Sequence, residues 1–396
     1  MNTGLVLGGG GLIGMGYHAG ALKALDEWGL DVPGADMIVG TSAGAILAAY
    51  LGIGWTPTDF FEYAHGRHPD SVDDPLLQAE ETRALFDPLS RSRQERVRRS
   101  VGGMFALAAS RGLWRGGTPP SRLRRLFPAG LYSSEGSRER LAADLPKVWP
   151  RPNLIICTTD LYNGRRTPFG APDAPPAPFP LAVLASTSIP GFFPPVKIGG
   201  RQYVDGGISS PTSLDLAAER GCKHILCIAP LGYLRDAPRP ELRALMPMAM
   251  RSWFAKTLKG EVNKARANGA DVLVIRPWTS DLGAHGTNAM RHFDRAALVE
   301  AARAGTLRFL EQHQDHPVLK AFQKPTRKHS PSAKRSAASN GRKREPKSDP
   351  HGSAGGGKAI SVEDRVAVPS GQSAAKQAGR KASAAPRRTA GGKQEL

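Results

Sequence analysis

Cysteine is scarce in this 396-residue chain: there are three, Cys157, Cys222 and Cys227, each inside or beside an apolar run. Three thiols without paired spacing supply neither a disulfide framework nor the ligand pattern of a metal site. They read as small core residues in a reducing compartment. Long apolar runs are missing too. No stretch reaches the roughly 18 consecutive apolar residues of a membrane span. The start, Met1-Asn2-Thr3 running straight into Gly4-Leu5-Val6-Leu7, lacks the charged and apolar regions of a signal peptide. The expectation is a cytoplasmic protein, at most peripheral to a membrane, with no metal and no cofactor. Acidic residues are also in short supply, 35 Asp+Glu against 54 Lys+Arg, for a net charge of +19.

Much of that excess is local. From Lys324 onward there is no aromatic residue, and 17 Lys and Arg face 5 Asp and Glu. Such a composition cannot bury enough apolar surface to offset its ordering entropy, so residues 324–396 read as a disordered basic tail. With no rings to stack on bases, its contact with nucleic acid would be nonspecific and salt-dependent; the other candidate partner is an anionic membrane.

Residues 1–323 carry the ordered pattern. Apolar strands are expected at Leu5–Leu7, Met37–Val39, 153–160, Arg201–Val204, 224–229 and Asp271–Ile275. Between and after them lie helices, including 213–219, 240–267 and 294–311. Apolar strands alternating with helices of about ten residues or more predict a mostly parallel sheet covered on both faces, an α/β fold of three layers, α/β/α. The stretch from about 57 to 150 reads as a helical insertion, with helices at 82–86 and 91–101 and a basic amphipathic piece around Arg122 to Phe127.

Three motifs carry chemistry. In Gly40-Thr41-Ser42-Ala43-Gly44 a serine stands between glycines where a strand turns into a helix, an arrangement that lifts a hydroxyl clear of a sheet. Ser42 is the candidate nucleophile, the alternative being a serine that merely caps the helix. After the first strand comes a glycine loop containing Gly9, Gly10, Gly11 and Gly14. Amides at a helix start, helped by its dipole, make this an anion site. Gly9-x-Gly11-x-x-Gly14 also fits a dinucleotide fingerprint, with Asp31 and Asp36 near the right distance, but the second strand bears no acid at its tip, so a nucleotide site is the weaker reading. Asp205-Gly206-Gly207 follows a later strand and suits either chemistry or a turn. Together the three supply an oxyanion loop, a nucleophile and a carboxylate base, all at carboxyl ends of strands.

As a set these motifs resemble the patatin-like phospholipase family: the glycine loop to Gly14, the elbow Gly40 to Gly44, and Asp205-Gly206-Gly207 in order over roughly residues 4–230. The block from Ala185-Ser186 to Phe193-x-Pro195 and the turn Thr159-Asp160 to Asn163-Gly164 are similar to the family's as well. The resemblance implies a patatin-like fold and a lipid or phospholipid substrate. It also implies a Ser42–Asp205 dyad without a catalytic histidine, which leaves His18 as a helix residue. Many members carry Arg or Lys where this chain has Ile13. An acyltransferase or thioesterase would use the same dyad.

Overall fold

The computed structural model describes residues 1–71, 87–90, 92–110, 128–232, 245–277 and 294–324. The expected helix at 82–86, the basic piece around 122–127 and the tail beyond Lys324 lie outside them.

An eight-stranded mixed sheet forms the centre. Its parallel part comprises β1 (Thr3–Leu7), β2 (Met37–Thr41), β3 (Leu154–Asp160), β7 (His224–Ile228) and β8 (Asp271–Ile275). An antiparallel part, β4 (Arg166–Phe169), β5 (Val196–Ile198) and β6 (Arg201–Asp205), extends it beyond β3. The order runs β5-β6-β3-β2-β1-β7-β8, with β4 on β3.

Strand side chains alternate between two hydrophobic layers, as a period of two demands. On one face Leu5, Leu7, Ile38, Leu154, Ile156, Leu226 and Ile228 meet α1 (Gly11–Glu27), α2 (Ala43–Gly52), α6 (Phe179–Ser186) and α9 (Arg295–Gln312). On the other, Val6, Val39, Ile155, Cys157, Ile225 and Cys227 meet α7 (Asp215–Glu219) and α8 (Leu245–Ala267). Apolar residues at both parities explain why the strands read as continuous apolar runs and why helices cover both faces. The remaining helices are α3 (Pro57–Ala64), α4 (Arg93–Ser110), α5 (Glu135–Asp144) and α10 (Pro317–Ala321). The three cysteines are buried free thiols.

Contrary to the expectation of a parallel arrangement, the site motifs do not all follow parallel strands, because β6 runs antiparallel to β3. Beside the whole of β3 it would carry Asp205 to the wrong end of the sheet. Instead β2 pairs with β3 only as far as Cys157, opposite Thr41, and β6 takes over at Thr158, opposite Asp205. Since β4 pairs with β3 from Ile156 to Thr159, β2 and β6 share the opposite edge and run tip to tip along it. Their carboxyl ends meet, and Ser42 follows one while Asp205 closes the other.

Candidate active site

The elbow is a sharp one. Ser42 has φ 54° and ψ −120°, a conformation that non-glycine residues avoid at a cost of roughly 1–3 kcal/mol. It holds the position of the α2 N-cap, yet its side chain makes no capping bond, which removes the helix-cap alternative. A Cβ on Gly44 would stand 2.0 Å from the Leu7 carbonyl oxygen, and one on Gly40 2.7 Å from the Gly44 oxygen. Both glycines are thus demanded by backbone packed on backbone.

The Ser42 hydroxyl donates to Asp205 Oδ2 at 2.6 Å. Asp205 Oδ1 accepts the Gly207 amide at 2.7 Å, so the aspartate caps the short turn Gly206–Ile208 while facing the serine. A Cβ on Gly206 would lie 2.3 Å from the Cys157 carbonyl oxygen, so the turn fits against β3 only with glycine there. Ser42 and Asp205 are 7% and 4% exposed. Burial pushes the Asp205 pKa up to about 6, against the hydrogen bonds from Ser42 and Gly207, which hold it down. That makes it a stronger base than a solvated carboxylate, yet one still ionised at neutral pH.

The glycine loop divides its amides. Gly8 donates to the Ile228 carbonyl at 2.9 Å, Gly9 to that of Pro211 at 2.8 Å, and Gly14 to that of Gly10 at 2.9 Å. Gly9 and Gly14 therefore build the loop and have no N–H to offer a ligand. The amides of Gly10, Gly11 and Leu12 have no acceptor among the described residues, and neither has that of Ala43. Gly11, at φ 60°, needs the freedom of glycine.

Sequence reasoning missed the residues that hold these parts. Ser186, at the end of α6, accepts the Ser42 amide at 3.0 Å and donates to the Cys157 carbonyl at 2.6 Å. The buried carboxylate of Glu261 on α8 accepts from Ser210, from the Thr212 hydroxyl at 2.5 Å and from the Leu214 amide at 3.2 Å. It thereby fixes the segment whose Pro211 carbonyl holds Gly9. Its pKa is raised by burial and restrained by the Ser210 and Thr212 hydroxyls. Ser186 stands in the block that resembles the family's, but nothing local marks its bonding role or singles out Glu261, because each acts on segments distant in the chain.

Ser42 opens into a cleft of about 170 Å³, lined mostly by apolar side chains from α1, α2, α3 and α5 and by Ile189 and Phe193. Gly11, Leu12 and Ala43 border it too. The family model described as patatin-like phospholipase matches residues 5–218, more than half of the chain. The chain belongs to the patatin-like phospholipase family. It is also 29% identical over 250 residues to an uncharacterized protein, YqhO, of Bacillus subtilis (strain 168), covering 60% of this chain and 74% of that one. Among solved structures, VipD from Legionella pneumophila is 16% identical over 79% of this chain and 67% of its own, with a TM-score of 0.38.

Within this patatin-like domain the other sequence candidates fall outside the serine's surroundings. His18 is fully buried on α1 and bonds through Nε2 to the Gly8 carbonyl at 2.7 Å. Burial lowers its pKa to about 4, so at neutral pH it is an uncharged donor to the loop. Asp36 accepts the amides of Asn2 and Thr3, and Asp31 that of Gly34. Both carboxylates are thus occupied in local structure. Ile13 is 4% exposed, so a cation in its place would be stripped of water. Among the described residues no cluster of metal-ligating side chains occurs, and no helix is long and apolar enough to cross a membrane.

Proposed function

We propose that the protein is a serine lipid acyl hydrolase working through a Ser42–Asp205 dyad. The observation that carries this reading is the 2.6 Å hydrogen bond from the Ser42 hydroxyl to Asp205 at the head of an apolar cleft. An ester carbonyl placed there is attacked by Ser42 Oγ as Asp205 takes its proton. The tetrahedral oxyanion is met by amides from the set of Gly10, Gly11, Leu12 and Ala43. Each well-aimed donor is worth on the order of 3 kcal/mol in the transition state. The ester bond breaks and the proton on Asp205 passes to the departing alcohol, which leaves an acyl group on Ser42. Asp205 then takes a proton from water, whose oxygen attacks the acyl carbon, and the proton returns to Ser42 as the fatty acid departs.

The raised pKa of Asp205 supports the role, since a base is most effective when its pKa approaches the working pH. So does the strain at Ser42, which holds the hydroxyl at the turn instead of in a cap. No step requires the basic segment after Lys324.

Incubation of wild type and Ser42→Ala with a mixed lipid extract, followed by lipid mass spectrometry, tests the proposal. Free fatty acid and the matching deacylated lipid appear with wild type alone. Acyl transfer to an added alcohol without net release of fatty acid would instead favour an acyltransferase on the same dyad. Equal release by Ser42→Ala would overturn the role of the serine.

A further inference from the structure

The cleft has a direction and an end. Ser42, Ala43, Ile46, Leu47 and Tyr50 all line it, at spacings that place them along one side of α2 starting from the nucleophile. Eight residues of helix at 1.5 Å each make the wall about 12 Å long. Over that length it presents hydrocarbon. At Tyr50 its character changes, for the Trp55 ring lies against those of Tyr50, Phe60 and Tyr63 at centroid distances of 4.8, 5.2 and 5.6 Å.

Partly exposed polar groups border the same end. The Tyr50 hydroxyl donates to Asp144 at 2.5 Å, Arg140 donates to the Tyr63 hydroxyl at 2.9 Å, and Arg140 Nε lies 3.5 Å from Asp144. Arg140 also sits over the Tyr63 ring at 5.8 Å. A methylene pushed in here would displace water from a paired guanidinium and carboxylate and return no hydrogen bond. A methyl stopping short of it would rest on the aromatic rings. A headgroup phosphate does not account for the cluster, because a glycerol-linked phosphate lies within a few bonds of the reacting ester, well short of the far end.

We infer that the Tyr50–Trp55–Tyr63 rings, tied by Arg140 and Asp144, form a chain-length stop, and that the enzyme's substrates are esters of medium-chain fatty acids. The inference rests on the acyl-hydrolase reading above. A carbon chain with bonds of about 1.5 Å and angles near 111° advances about 1.25 Å per carbon, so about 12 Å holds roughly eight to ten carbons. Each methylene buried along that length raises kcat/KM about fourfold, and those beyond it must enter the paired polar groups and lower it.

The test is the hydrolysis of detergent-dispersed p-nitrophenyl esters from butyrate to hexadecanoate by the full chain, with Trp55→Ala and Arg140→Met for comparison. For wild type, kcat/KM climbs from butyrate to octanoate and decanoate and is at least about tenfold lower at tetradecanoate. In both variants the ratio of tetradecanoate to octanoate rises by about tenfold, the gain from roughly two more buried methylenes. The wild-type profile decides even if a variant fails to fold: tetradecanoate turned over as fast as octanoate would overturn the stop while leaving the hydrolase reading intact. Folded variants with an unchanged ratio would overturn it as well. Turnover of none of the esters would overturn the hydrolase reading, and the stop with it.

Discussion

Ser186 Oγ accepts the amide of Ser42 at 3.0 Å while donating to the carbonyl of Cys157 at 2.6 Å, so one hydroxyl ties the strained elbow to the neighbouring strand. Ser186→Ala leaves a buried N–H and a buried C=O without partners. It should destabilise the fold by about 2–4 kcal/mol in urea unfolding and lower kcat more than it raises KM. Unchanged stability together with unchanged kcat would show that the elbow is held by other contacts.

As the proposed base Asp205 has to be ionised to accept the Ser42 proton, and burial raises its pKa to about 6. The pH profile of kcat/KM on a short, soluble ester should therefore rise through about 6 and level off above it. A profile flat from pH 5 to 8 would exclude Asp205 as the base.

The same shift bears on stability. Because the folded state holds the Asp205 proton more tightly than the unfolded chain, the stabilisation from that proton is fully present below pH 3.8 and lost as pH rises through about 6. Asp205→Asn keeps the shape without the buried charge. Its amide can donate to Ser42 while its oxygen accepts from Gly207. At pH 8 it should be more stable than wild type by about 2–3 kcal/mol while nearly inactive, and the gain should vanish near pH 4. Thermal melts across that range check the sign; a variant less stable at pH 8 would contradict it.

Two glycines should respond oppositely to alanine. Gly44→Ala places a Cβ 2.0 Å from the Leu7 oxygen and should abolish activity with a loss of at least about 3 kcal/mol of stability. Gly136→Ala on α5 meets nothing within 4 Å and should be neutral or stabilising by up to about 1 kcal/mol. Comparable melts for the two variants would contradict the packing account.

Much of this was legible in the sequence, for identifiable reasons. The parallel strands and both covering layers follow from apolar residues at every position of Leu5 to Leu7 and of Leu154 to Cys157, which only a sheet buried on both faces uses. Gly40 and Gly44 announce the elbow by their spacing around Ser42, although the close backbone approach that demands Gly44 is to Leu7 on β1. The meeting of β2 and β6 could not be read, since strand direction depends on a hairpin route through β5 that no local pattern specifies. Nor could the commitment of the Gly9 amide to Pro211, or the service of Ser186 and Glu261, each a contact made across the fold. The expected boundaries of α7 also shift: the helix begins at Asp215 and not Ser213, whose φ of 56° is incompatible with it.

In the proposed mechanism Ser42 is the nucleophile and Asp205 its base, joined by a hydrogen bond across 163 residues of sequence. Steady-state hydrolysis of p-nitrophenyl octanoate by wild type, Ser42→Ala and Asp205→Asn tests it most directly, with each protein's fold verified by circular dichroism. Both folded variants should lose at least about a thousandfold in kcat/KM. Wild-type turnover by either one would contradict it.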